Sequence, residues 1–371
     1  EYGWSSLWRN EKRARHATFC RNCFFSRRKK LLLSLRERHL NVTIERYIAM
    51  ETVEKPYVIG LDMGGTNSVF GIVDQRGTIK MQTVIETKAY PDVRDYVKAS
   101  VDALKPALDV VGGIDNVRGM GIGAPNGNYY TGNIEYAANL VWDGIVPIAK
   151  LFEEALGIPV KVTNDANAAA MGEMTYGVAR GMKNFIMITL GTGVGSGIVV
   201  DGNVVYGSDG FAGELGHVII DRSENARSCG CGRKGCLETY CSATGVARTA
   251  REMLANSPMP SLLRDMNPEE ITSFSVFQAA EAGDELAKQI FDYTGRILGE
   301  ACANFAAFNT PEAFVFFGGL TKAGDYLMNP LRKAYDDNIL YIFKGKAKLL
   351  VSSLNGSEAA VLGASALGWD A

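Results

Sequence analysis

Along most of the chain, short apolar runs alternate with glycine turns or with capped, alanine-rich stretches. In "VIGLDMGGTNSVFGIVD" (58–74), Val58, Ile59 and Leu61 lead into Gly64-Gly65, and Val69, Phe70, Ile72 and Val73 lead out. Such a pattern predicts strand, tight turn, strand. It recurs in "FIMITLGTGVGSGIVVD" (185–201), where Gly191 falls on Gly64, Gly193 on Thr66 and Asp201 on Asp74 without a gap. An internal duplication explains this repeat better than chance, and each turn would offer backbone N–H groups to an anion such as a polyphosphate.

Between and after the repeats the period lengthens. A helix is predicted around Val93 to Leu108, and "VRGMGIGAP" reads as an apolar strand ending in turns. "IPVKVTNDANAAAMGEMTYG" reads as strand, cap and Ala-rich helix. "GRILGEACANFAAFNTPEAFVFFGGL" is a long helix of small residues, a Pro-marked turn and a buried strand ending at Gly318-Gly319, and "SEAAVLGASALG" is a last small-residue helix. The alternation predicts an α/β class with mostly buried sheets. No G-x-x-x-x-G-K-[ST] loop occurs, and "GTGVGSG" runs into a strand where a dinucleotide fingerprint would enter a helix. A doubled glycine hairpin resembles instead the actin-like ATPase (ribonuclease H-like) architecture, two lobes around a cleft.

Composition narrows the class. The 371 residues are 47% apolar and 22% charged, enough for two cored domains of a globular protein. The net charge of −2 conceals a basic head: residues 1–50 hold twelve Lys or Arg against four Asp or Glu. No apolar run approaches the roughly 18 residues of a membrane helix. Seven cysteines, three of them in "CGCGRKGC", point to thiols and metal in a reducing, cytoplasmic setting more than to disulfides. The head lacks a clean period apart from a helix from about Lys30 to Ile48. Three readings stay open for it: a segment upstream of a start at Met50, a targeting presequence, or a nucleic-acid-binding arm. Cys20 and Cys23 with His16 and His39 match no zinc-finger spacing.

Candidate chemistry gathers in two places. Asn164 and Asp165 stand where a strand gives way to a helix, which makes them caps first. An Asp there also stays ionised under the helix dipole, as a group taking a proton from an attacking hydroxyl must. In "GFAGELGHVIIDRSENARSCGCGRKGCLETY", His217, Cys229, Cys231 and Cys236 supply four ligands, enough to close a structural tetrahedral Zn²⁺ site. Glu214, on the same face as His217 if that stretch is helical, and Glu238 are carboxylates on this frame, suited to neighbouring hydroxyls of a polyol.

These residues carry a family resemblance. "DMGGTN", "GAP" at 123–125, "NDANAAA", "LGTGVGSG", "GELGH", "CGCGRKGCLE" and "FFGGL" together resemble the ROK family (repressor, open reading frame, kinase), most closely its bacterial glucokinases, over about residues 56–370. The resemblance implies Asp165 as the base toward a sugar 6-hydroxyl, with Asn139, Asn164, Glu214, His217 and Glu238 on the sugar. It implies Asp62 near Mg²⁺, a first phosphate loop at Gly64, Gly65, Thr66 and Asn67, and a second at Gly191, Thr192 and Gly193. Gly318 and Gly319 become the adenosine-side turn, and His217, Cys229, Cys231 and Cys236 the zinc ligands. Expected lobes are 56–168 with 356–371, and 169–355, preceded by an extension over 1–55. The expected activity is ATP-dependent phosphorylation of glucose to glucose 6-phosphate in a cytoplasmic homodimer without membrane or nucleic-acid partners. Mannose, N-acetylmannosamine, N-acetylglucosamine or fructose remain alternative substrates, and a sugar-responsive repressor the more distant reading. "GAPN" replaces the more usual Gly-Ala-Pro-Gly, so Asn126 either touches the sugar or turns the chain. The stretch between His217 and Cys229 is slightly longer than usual, which a loop tolerates.

Overall fold

Lys55 and the residues after it begin with a hairpin, β1 (Tyr57–Met63) and β2 (Asn67–Asp74), followed by β3 (Ile79–Glu86), helix α1 (Val93–Val110) and β4 (Val117–Ala124). A two-stranded ribbon, β5 (Ile134–Glu135) and β6 (Ile145–Val146), leads to α2 (Ile148–Leu156), β7 (Val160–Asn164) and α3 (Asp165–Tyr176). A second hairpin, β8 (Phe185–Leu190) and β9 (Val194–Val200), then opens the other half with β10 (Asn203–Val204). Helices α4 (Glu238–Cys241), α5 (Ala243–Asn256), α6 (Ser273–Glu281) and α7 (Glu285–Asn309) precede β11 (Ala313–Phe317), α8 (Asp325–Asn338), β12 (Lys348–Val351) and α9 (Gly356–Gly368). This computed structural model describes residues 55–354 and 356–371. The helix expected over 30–48, the Cys20, Cys23, His16 and His39 group and the Met50 start lie outside the described residues.

The two halves repeat one sheet. Strand order is β3-β2-β1-β4-β7 in the first and β10-β9-β8-β11-β12 in the second. In each, the first three strands pair antiparallel and the last two join parallel. Central strands are covered on both faces, so Val58–Leu61 of β1 and Ala313–Phe316 of β11 are continuous buried runs. At the edge, β3 has no fully buried residue, and only Gln82 to Glu86 alternate in exposure. The gap-free match of the two hairpins needs one correction. Met63 pairs with Ser68, whereas Leu190 pairs with Val194, so the second turn is one residue shorter and β9 slips by one against β2.

Between the sheets lie α9 and α3, both rich in small residues for a steric reason. A Cβ on Gly60 of β1 would stand 2.3 Å from the Val361 carbonyl, and one on Gly121 of β4 1.9 Å from that of Ala364, so α9 rests on bare backbone. On its other side α9 meets α3: a Cβ on Gly172 would lie 2.8 Å from Gly363 Cα, and one on Gly363 2.6 Å from the Ala168 carbonyl. Gly197 of β9 approaches α3 in the same way, against Ala170 and Ala166.

Gly363→Ala tests this crossing because two effects oppose. Helix propensity favours Ala by about 1 kcal/mol, while overpacking against fixed backbone costs about 1–3 kcal/mol. The expected outcome is a lower denaturant midpoint than the parent's; a higher one would show that the helices have room to separate.

Candidate active site

The strand-to-helix junction at β7–α3 places Asp165. Asn164 Oδ1 accepts the Ala166 N–H at 2.9 Å and is the cap, and Asp165, the first helical residue, shares that donor through its Oδ1 at 2.8 Å. Asp165 opens onto solvent in the cleft, yet protein crowds it elsewhere, and this loss of water pushes its pKa up. Asp62, near the end of β1, faces it. Burial first, then the charge of Asp165, push the Asp62 carboxyl up to about 6.

Both glycine turns border this point. Gly64 N–H closes the first on the Asn67 carbonyl at 3.0 Å, with Thr66 and Asn67 exposed at its tip. Gly65 packs against Asn139, where a Cβ would come within 2.2 Å of the Asn139 carbonyl. In the second turn, Gly191 N–H bonds the Gly193 carbonyl at 3.0 Å. The start of α5 holds it from behind: Ala243 N–H donates to the Gly191 carbonyl at 2.8 Å, and Thr244 Oγ1 to that of Thr192 at 2.9 Å. Beside it opens a pocket of about 430 Å³, walled by Gly191, Thr192, Gly319, Phe274, Phe277 and Lys322. Gly318 does not face it freely. Its φ is +114°, and a Cβ there would strike the Leu190 carbonyl at 2.4 Å, whereas Gly319 borders open space.

The carboxylates at 214 and 238 complete the cluster. Burial raises the pKa of Glu214, His217 opposes that rise, and the charges of Asp165 and Glu238 add to it. Glu238 Oε2 accepts the Val194 N–H at 3.0 Å and blocks any side chain at Gly193. Its Oε1 lies 3.9 Å from Cys229 Sγ. The helical reading of the Glu214–His217 stretch is corrected. Glu214 has φ −74° and ψ 54°, the inverse γ-turn conformation, and only Leu215–His217 forms a single 3₁₀ turn.

His217, Cys229, Cys231 and Cys236 converge, with their ligand atoms within 4.8 Å of one another. Cys231 and Cys236 sulfurs are 3.6 Å apart, and Cys229 Sγ is 3.7 Å from His217 Nδ1. A tetrahedron with bonds of about 2.3 Å has edges of about 3.8 Å, so the donor set fits zinc. The Arg233 guanidinium brings the Cys231 thiol down to about 6, while burial holds Cys236 up to about 12. A cation would displace the remaining protons. Arg227 anchors the loop: buried, it donates to the Thr239 carbonyl at 2.8 Å and Thr249 Oγ1 at 2.9 Å, pairs with Glu252, and stacks 4.4 Å over Tyr240.

Sequence reasoning missed Phe274, Phe277, Lys322 and Arg227. Phe274 and Phe277 lie in the first half of α6, far in sequence from both glycine turns, Lys322 sits in the 3₁₀ turn Gly319–Ala323 after Gly318, and none carries a local signature; a buried Arg beside the cysteines resembles any loop cation. Asn126 turns the chain. It holds φ 51°, a left-handed conformation that Gly or Asn adopts, and its Nδ2 donates to the carbonyls of Glu135 and Tyr136 at 3.0 and 3.2 Å. No described helix is long and apolar enough to cross a membrane.

Two copies of one sheet, each with a glycine hairpin at the cleft, form the actin-like ATPase fold. Within it the chain belongs to the ROK family, which its residues 58–370 match. Among curated relatives it is 37% identical over 316 residues to the glucokinase of Halalkalibacterium halodurans, covering 84% of this chain and 94% of that one. The glucokinase of Thermotoga maritima is 32% identical over 313 residues, covering 84% and 96%. Among solved structures, a ROK family glucokinase from Streptomyces griseus in complex with glucose and AMPPNP superposes with a TM-score of 0.70 at 32% identity, covering 85% of this chain and all of that one.

The crowded carboxylates predict a pH effect. A folded pKa near 6 for Asp62 means that its contribution to stability is fully present below about pH 4 and is lost as pH rises through about 6. Asp62→Asn therefore stabilises the ligand-free protein at pH 8 by up to about 3 kcal/mol, with the gain vanishing at pH 4. Denaturant midpoints at both pH values check this.

Proposed function

We propose that the protein transfers the γ-phosphoryl group of ATP to the 6-hydroxyl of a hexose, with glucose as the substrate. The observation that carries this reading is the meeting of Asp62, Asp165, Glu214 and Glu238 between two glycine turns, next to a base-sized aromatic pocket. Glucokinase relatives over most of the chain support the same assignment.

In this reading the turns at Gly64–Asn67 and Gly191–Gly193 cradle the phosphates with backbone N–H groups. Phe274 and Phe277 bracket the base, and Gly319 lets it approach the backbone. Asp62 would hold Mg²⁺, which neutralises phosphate charge when bound. Glu214, Glu238 and His217 Nε2, which the cysteine cluster leaves free, take the sugar's other hydroxyls, with Asn139 and Asn164 beside them. Asp165, whose crowding by protein raises its pKa and strengthens it as a base, takes the proton of the 6-hydroxyl as that oxygen attacks. The lobes 56–168 with 356–371, and 169–355, close on the pair of substrates and keep water from the nucleotide. Zinc on His217 and the three cysteines would fix the loop carrying Glu238 and orient the imidazole.

Asp165→Asn separates chemistry from binding. Turnover should fall about 10²–10⁴-fold, while glucose affinity in calorimetry falls far less, because Glu214, His217 and Glu238 remain. Turnover within a few-fold of the parent would leave Asp165 a helix-start residue only.

Cys231→Ser should lower bound zinc below one per chain and raise KM for glucose, with KM for ATP little changed. Unchanged metal content by elemental analysis would refute the cluster's role.

A further inference from the structure

Glu214 projects from the backbone at an angle that something must hold. Its γ-turn is closed by Leu215 N–H donating to the Gly213 carbonyl at 2.8 Å, an arrangement too small to be rigid alone. The hydroxyl of Ser196, on β9 and 5% exposed, joins both ends of that turn: it donates to the Gly213 carbonyl and accepts Leu215 N–H at 3.0 Å. The flanking glycines press the turn onto β9. Gly213 holds φ +96°, and a Cβ on Gly216 would stand 1.9 Å from the Val194 carbonyl. Thus two atoms either side of Glu214 are tied to one side chain of the strand that also opens from the second glycine turn.

We infer that Ser196 is a positioning residue for the sugar: through Gly213 and Leu215 it fixes the direction of the Glu214 side chain and so sets affinity for the hydroxyl that Glu214 accepts. This rests on the reading of Glu214 as a sugar ligand, and the experiment keeps the two apart. Ser196 touches neither substrate, so its removal acts on binding through Glu214 and not on phosphoryl transfer.

The test is a double-mutant cycle on the full chain with Ser196→Ala, Glu214→Gln and both, reading KM for glucose, kcat and KM for ATP, with glucose binding followed by calorimetry. Ser196→Ala should raise KM for glucose about five- to tenfold, the effect of one net hydrogen bond, and leave kcat and KM for ATP within about twofold of the parent. In the Glu214→Gln background it should add almost nothing. Ser196→Cys, which keeps a weaker donor and acceptor in place, should fall between, and it carries the test if the alanine variant does not fold. Additive effects, a fall in kcat alone, or an unchanged KM for glucose would overturn the positioning role. If Glu214→Gln itself leaves glucose binding untouched, the sugar-ligand reading fails instead.

Discussion

The separation of the two sheets is set by the thickness of two helices. α9 sits on β1 and β4 where Gly60 and Gly121 leave backbone against backbone, and α3 crosses it at Gly172 and Gly363. Each glycine weakens its helix or strand, and the close contact it permits offsets that loss through dispersion over bare backbone. The consequence reaches the site directly. Asp62 is the last residue but one of the strand under α9, and Asp165 begins the other helix, so the spacing of those two acids is inherited from the crossing.

How much of this could be read in advance follows from what is local. The paired hairpins were legible because buried central strands leave continuous apolar runs such as Val58–Leu61, and the helix from Val93 was legible from its period. The length of the second turn was not, because Gly191 to Gly195 offers several equally plausible points for the chain to reverse; only pairing of Leu190 with Val194 decides. The four candidate metal donors, His217, Cys229, Cys231 and Cys236, announce themselves by spacing and ligand type. Glu214 was found by its neighbourhood to His217 with a shared helical face left conditional; the γ-turn it adopts is bonded to the Ser196 hydroxyl eighteen residues earlier, which no local pattern shows. Phe274 and Lys322 were illegible for a different reason: the pocket assembles them only after folding.

The cleft concentrates negative charge, and among the described residues no buried Lys or Arg answers it; only His217 opposes the rise at Glu214. Asp62, Asp165 and Glu214 all have their carboxyls pushed up by lost water, and the first and third also by neighbouring acids. Elsewhere the fold treats charge differently: Arg227 is buried with Glu252, three carbonyl or hydroxyl acceptors and an aromatic face around it. Such contrast fits the proposed ligand roles, because uncompensated acids weaken the empty protein and would be relieved when hydroxyls or a cation arrive.

Glu238 has one oxygen on the Val194 amide of the second glycine turn and the other beside Cys229. In the proposed reading, this one carboxylate belongs at once to the nucleotide side, the sugar side and the cysteine loop. Linkage then requires reciprocity: whatever free energy a bound sugar contributes by fixing this carboxylate must reappear as tighter holding at the turn, and a ligand seated on the turn returns the same factor to the sugar. On that reading the two substrates need not touch to report on each other, for they would share one side chain's orientation.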